Sequence, residues 1–166
     1  IISDYSLPNN HIFHSLLVHF SYRIFGSQPW AVRFPAFLAG ILLVPAGYLT
    51  ARTFFDRHAA ILSAGLIGFT PILINYSTNA RGYSLLNLVS VLLLTLAAYV
   101  RKQDNRAAWA LMIILSVVGF YVVPTMLFPF GAIGLWLMLG WLLGLTKPPF
   151  EKFFLWRLIV LGVITA

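Results

Sequence analysis

Cysteine does not occur in this sequence of 166 residues. Neither a disulfide framework nor a thiolate metal site can therefore be built. Charge is also scarce: 9% of the residues are Asp, Glu, Lys or Arg, against about 25% in an ordinary soluble domain. Acid is scarcest, with 4 Asp+Glu in the whole chain. Solenoid repeats and low-complexity tracts are missing, as is the alternating polarity of outer-membrane β-strands. What is abundant is apolar surface, at 60% hydrophobic residues and a mean hydropathy of +0.89. A soluble fold of this size has too little interior to hide so much. The sequence therefore describes an all-α, polytopic transmembrane helix bundle with about six spans.

The 11 Lys+Arg outnumber the acids and set a formal net charge of +7. In a soluble protein this would suggest nucleic acid. Here no nucleic-acid partner is expected, because the cations sit in short loops between apolar stretches. Those stretches run Phe34–Ala51, Ala59–Ser77, Gly82–Val100 and Ala107–Leu145, with a last one starting near Phe153. As one helix, Ala107–Leu145 would be about 58 Å long, and the hydrocarbon core is only about 30 Å thick. Pro124 and Pro129, beside Gly119 and Gly131, divide it into two helices with a turn near Pro124. That division puts the loops 52–58, 101–106 and 147–157 on one side. The positive-inside rule makes this side cytoplasmic. The N-terminal segment, the loop Pro71–Arg81 and the Pro124 turn then face periplasm or lumen.

Asn9–Phe25 reads differently. Ile12, Phe13, Leu16, Leu17, Phe20 and Ile24 recur at helical spacing, while His11, Ser15, His19 and Arg23 form a polar i, i+4 stripe. This predicts an amphipathic helix lying at the outer interface, ended by Gly26, with Trp30 in the aromatic belt. Asn9 or Asn10 is placed to cap it. The layout is one transmembrane domain, with residues 1–33 as outer loop and interfacial helix and 34–166 as transmembrane helices. The chain opens on Ile1 and stops at Ala166 inside an apolar run, so it is expected to be a piece of a longer protein, truncated at both ends.

Several residues are suited to chemistry at the outer side. Arg33 and Arg81 stand there against the charge bias, each at the edge of a span, and a guanidinium fork matches phosphate. Alternatively they snorkel to headgroups. Arg81 sits in Asn75-Tyr76-Ser77-Thr78-Asn79-Ala80-Arg81-Gly82-Tyr83-Ser84, too many polar groups to place beside apolar helices without a wet cavity. His11 begins a helix, where an anion is favoured. It is also the one candidate metal ligand, because His14 and His19 read as interfacial polar residues. Asp4 is the only acid on the outer side and so the candidate base.

Three stretches resemble the GT-C superfamily of membrane glycosyltransferases, and specifically its family-39 type. That type includes the protein mannosyltransferases and the lipid A aminoarabinose transferases. The stretches are Asn10-His11-Ile12-Phe13-His14-Ser15-Leu16-Leu17, then Phe25-Gly26 with Trp30-Ala31-Val32-Arg33-Phe34-Pro35-Ala36 and Leu38-Ala39-Gly40, and finally Ser77-Thr78-Asn79-Ala80-Arg81-Gly82-Tyr83-Ser84. Phe54-Phe55-Asp56-Arg57-His58-Ala59-Ala60 is similar to the family's short cytoplasmic turn. The resemblance implies transfer of a sugar from a polyprenyl- or dolichyl-phosphate-linked donor at the outer face. The acceptor is not identified, and the enzyme would sit in a multi-pass arrangement in a bacterial inner (plasma) membrane. It implies that His11, Arg81, Arg33, Tyr83, Asn79 and Asn10 hold the lipid phosphate, and that a divalent metal assists in many members. It places the family's acidic pair upstream of Ile1, so this piece is not expected to act alone. Ile12-Phe13 stand in place of Pro-Pro, and Asn79 in place of an acid. The rival readings are a transporter or flippase of lipid-linked sugars and a non-catalytic scaffold. Against the first, the mid-span positions are almost free of charge.

The charge pattern has a direct test. Single cysteines at Asn79 and Gln103 should differ in labelling by an impermeant thiol reagent on intact cells, with Asn79 reactive and Gln103 protected. Equal labelling, or labelling at Gln103 alone, would refute the orientation.

Overall fold

The computed structural model describes residues 11–103, 105–145 and 151–165. It is an all-α bundle. In order the helices are α1 (Ile12–Phe25), α2 (Pro29–Phe54), α3 (Arg57–Phe69), α4 (Pro71–Thr78), α5 (Tyr83–Lys102), α6 (Arg106–Val122), α7 (Leu127–Leu142) and α8 (Glu151–Thr165), with a 3₁₀ turn at Pro124–Met126 before α7. Among the described residues, α2, α5 and the segment Pro124–Leu142 are long and apolar enough to cross a membrane. The pair α3–α4 makes a fourth span if its two parts are taken together. The 17-residue α6 and the 15-residue α8 are shorter than the roughly 20 residues that cross a bilayer untilted.

The breaks follow local chemistry. The long apolar run divides at Val123-Pro124, as its prolines predict. The stretch Ala59–Ser77, expected as one span, is bent by 56° between α3 and α4. Pro71 is the cause: it starts α4, offers no N–H to the preceding turn and disfavours helical backbone at Thr70. Asp56 caps α3 by accepting from the Ala59 N–H at 2.8 Å, and Asn105 caps α6 by accepting from Ala107 and Ala108. The first span begins at Pro29, a turn before Phe34, because proline is tolerated at the first helical position.

The interior is made of small residues on α2 and larger ones around α5. Ala36, Ala39, Leu43 and Ala46 are buried on α2. On the same helix, a Cβ added at Gly40 would come within 2.5 Å of Ser77 Cβ on α4, and one at Gly47 would overlap the Ile67 side chain on α3. Lipid is as apolar as leucine, so close backbone approach and good van der Waals contact hold such helices together. Two hydrogen bonds add to this. Thr50 and Thr95 hydroxyls pair at 2.6 Å between α2 and α5, and Ser21 Oγ donates to the Ala31 carbonyl at 2.6 Å between α1 and α2. A second core joins Val89, Leu93 and Ala97 of α5 to Trp109 and Met112 of α6 and Leu137 of α7.

On α1 the predicted polar stripe is not the inward face: Ser15, His19 and Arg23 are exposed. His14 and Ser21 are its buried residues. Ile12, Leu16, Phe20 and Ile24 form an i, i+4 stripe that is 49–72% exposed, so apolar and polar side chains share the outer surface of this helix. α1 is not among the candidate spans.

The glycine contacts predict an asymmetry. At Gly40 the obstructing atom is a Cβ close to the α4 backbone, whereas at Gly47 it is the mobile end of an isoleucine. Gly40→Ala should therefore cost about 1–3 kcal/mol of stability, and Gly47→Ala clearly less. Unfolding of the detergent-solubilised protein by sodium dodecyl sulfate measures both. Equal losses would contradict this packing.

Candidate functional site

The polar residues of the sequence converge where α1 begins, α5 begins and α6 ends. His11 is the N-cap of α1 and is half-buried. Asn79–Gly82 forms the tight turn from α4 into α5, closed by the Arg81 N–H donating to the Asn79 carbonyl at 2.8 Å. These elements meet at Gly82. A Cβ there would lie 2.8 Å from His11 Nδ1, 2.8 Å from Val122 Cγ1 and 3.5 Å from His14 Cβ. The φ of Gly82 is −74°, so any residue could adopt its backbone. Glycine is required for lack of room.

Aromatic rings extend the contact. The His11 ring meets Tyr83 edge-on, with centroids 5.2 Å apart, and Tyr83 meets Tyr76 of α4 at 5.2 Å. Arg81 is exposed beside them, as is Asn79, whose amide donates to Asn75 Oδ1 at 3.0 Å. The structure thus brings together His11, Arg81 and Tyr83, with Asn79 at the edge of the same turn. Arg33 stands on the exposed side of α2, and among the described residues it shares no hydrogen bond, ion pair or ring contact with this cluster. Asp4 and Asn10 lie outside the described residues, as does Asn9, the other expected cap of α1.

His14 requires a correction. It was expected as an interfacial polar side chain, yet it is 2% exposed. Residue 14 lies on the α1 face that packs beneath the 80–82 turn, and Gly82 lets it in. Neither ring nitrogen of His11 or His14 has a hydrogen-bond partner among the described residues, and the Ser84 hydroxyl is likewise buried without one. Gly82, Ser84 and Val122 also lie at this junction and were not named as candidate site residues from the sequence. For Gly82 and Ser84 a signal was present, since both belong to the Asn75–Ser84 polar run.

The electrostatics follow from burial. His11 is held below its ordinary value of 6.5, first by burial and then by the Arg81 charge; the nearby Val122 carbonyl offsets this only in part. His14 is lowered by burial and by His11, again with a partial offset from the Ala80 carbonyl. Both rings are neutral at pH 7. A neutral imidazole next to an exposed guanidinium can receive an anion and take up a proton as it does so. The described residues do not make up a divalent-metal site: no group of three His, Cys, Asp or Glu is placed to share an ion. Two imidazoles alone suit magnesium or manganese poorly, because these ions prefer oxygen ligands.

The apolar bundle is that of an integral membrane protein, and a polar junction lies at its α1–α5 end. Its family is set by comparison: the model of the dolichyl-phosphate-mannose-protein mannosyltransferase family matches residues 9–166. The chain belongs to this family of membrane glycosyltransferases, which use polyprenyl-phosphate-linked sugar donors. No curated protein and no solved structure matches it.

The histidines make stability depend on pH. Their folded-state values are depressed, so the unfolded chain binds more protons below 6.5. The stability they lend is present above pH 6.5 and is lost as pH falls through the lowered folded-state values. The melting temperature in detergent should hold steady above pH 7 and drop below pH 6.5, and His14→Gln should flatten the drop. A melting temperature that rises on acidification would contradict neutral, buried rings.

Proposed function

We propose that the junction at Gly82 receives the phosphate of a polyprenyl- or dolichyl-phosphate-linked sugar. On this reading the full-length protein transfers the sugar to an acceptor at the periplasmic or lumenal face. The observation that carries it is the seating of a neutral His11 against the turn that bears the exposed Arg81. Arg81 supplies a positive fork for the phosphate. Entry of the phosphate raises the pKa of His11, which then donates to a phosphate oxygen. Beside them an apolar groove of about 250 Å³, lined by Leu17, Phe25, Phe34, Leu38, Leu85 and Leu88, suits an isoprenoid chain.

Transfer on this reading proceeds with inversion. The acceptor atom attacks the anomeric carbon, the bond from that carbon to the phosphate oxygen breaks, and the acceptor proton passes to a carboxylate. That carboxylate is Asp4 or the acidic pair expected upstream. Negative charge grows on the departing lipid phosphate, so contacts from Arg81 and His11 strengthen in the transition state. Asn79 and Tyr83 complete the lining in this proposal, Arg33 is left out of it, and a bacterial inner membrane is its setting.

The test is sugar transfer by the full-length protein from its lipid-linked donor, with membrane insertion checked in parallel. Arg81→Ala should insert normally and lose about a hundredfold in rate, or about 3 kcal/mol of transition-state stabilisation. Arg81→Lys should recover only part, because an ammonium lacks the fork. Near-full activity of Arg81→Ala would make the residue a headgroup anchor and remove the phosphate role.

A further inference from the structure

A second built cavity lies at the opposite end of α5. Helix α5 has 20 residues and is therefore about 30 Å long. A donor held near Gly82 cannot place its phosphate there. The cavity holds about 540 Å³ and is walled by Thr53 and Phe54 of α2, Arg101 and Lys102 of α5, Trp136 of α7, and Leu145.

Its two cations are held in place rather than left to roam. The Arg101 guanidinium is half-buried and lies 4.4 Å over the Trp136 ring. One turn along α7, a Cβ on Gly140 would come 3.2 Å from the guanidinium carbon and from Nη2. Trp136 and Gly140, neighbours on one face of α7, thus form a slot for the planar group, with the ring against it and bare backbone beside it. Lys102 Nζ donates to the Thr53 carbonyl at 2.9 Å and closes the α2 side. Trp136 is backed in turn by Phe54, with centroids 5.8 Å apart. The one described acid side chain, Asp56, is engaged in capping α3. Among the described residues no ion pair neutralises either cation. A charge that merely snorkelled to headgroups would need neither an aromatic face against it nor a bare glycine beside it.

We propose that this cavity binds a phosphate-bearing anion, with Arg101 as the fork and Lys102 as the point charge, and the apolar walls taking the glycerol and first methylenes of an anionic phospholipid. The shared chemistry is the phosphate, and its source is either such a lipid or a soluble phosphate. The proposal does not depend on the transferase reading, because it concerns the other end of the bundle.

The experiment uses the purified full-length protein in neutral detergent. Three probes are added separately: phosphatidylglycerol, phosphatidylcholine and inorganic phosphate. Retained lipid is counted by native mass spectrometry, and the melting temperature is followed in parallel. Phosphatidylglycerol should be retained and should raise the melting temperature, and phosphatidylcholine should do neither. Stabilisation by inorganic phosphate without lipid retention would assign the source as soluble and keep the site. Arg101→Gln and Lys102→Gln should each weaken binding about tenfold, the loss expected of one charge-assisted contact. Arg57→Gln, a cation of the same end outside the cavity, should change it less than about twofold. Arg101→Lys should fall between, and it carries the test if Arg101→Gln does not fold. Equal retention of the two lipids, or equal weakening by all three neutral variants, would overturn the proposal in favour of diffuse attraction to a basic surface.

Discussion

Helix α2 touches α1, α3, α4 and α5, and it can do so because its contact surfaces are nearly bare. Gly40 and Gly47 admit α4 and α3 to contact distances that any larger side chain would block. Ala36, Ala39 and Ala46, buried on the same helix, leave equally little between it and its neighbours. In an apolar solvent this closeness is the principal attraction between helices, because burial against leucine or against lipid is worth nearly the same. The other contacts are arranged around it. The α2–α5 pair sets where α5 starts and ends, and with that it sets the positions of the Gly82 junction and of the Arg101–Trp136 slot.

The two ends of α5 use opposite electrostatic devices. At Gly82 the groups are imidazoles, kept neutral first by desolvation and then by a neighbouring charge, that of Arg81 for His11 and that of His11 for His14. A buried group that starts neutral can gain a proton when an anion arrives, which couples binding to charge. At the other end the groups are the Arg101 guanidinium and the Lys102 ammonium, seated on Trp136 and on the Thr53 carbonyl. Fixing them costs side-chain entropy, which the Trp136 face and the Thr53 carbonyl offset. A phosphate is suited to either end, by proton uptake at one and by preformed charge at the other.

Reading α1 shows how the solvent alters the meaning of a pattern. Its apolar residues recur at helical spacing, which in water would place Ile12, Leu16, Phe20 and Ile24 against the protein. Beside lipid, those residues face outward, and the buried positions go to His14 and Ser21. The hydrogen bond from Ser21 to the Ala31 carbonyl then ties α1 to the start of α2. A polar residue inside such a protein needs either a partner or a function. Ser21 has the first, and for the rings of His11 and His14 the second is the reading proposed above.

Composition and run length by themselves determined the all-helical membrane class, because only hydrogen-bonded helices can bury so many continuous apolar residues in lipid. Prolines 71 and 124 and the caps Asp56 and Asn105 act through backbone geometry and neighbouring N–H groups, so they mark breaks within their own stretch of chain. Here the Pro124 break was legible in the sequence, while the bend at Pro71 was not anticipated. The polar run Asn75–Ser84 likewise stood out as a candidate without help from tertiary contacts, since its cost in lipid is local. Tertiary structure alone decided that His14 is buried, that Arg33 stands apart from His11 and Arg81, and that Val122 closes the junction. It also decided that Arg101 rests on Trp136, 35 positions away in the chain. Such contacts depend on how far two backbones approach, and that distance is set by glycines whose partners lie on other helices, where no periodicity along a single helix can reveal them.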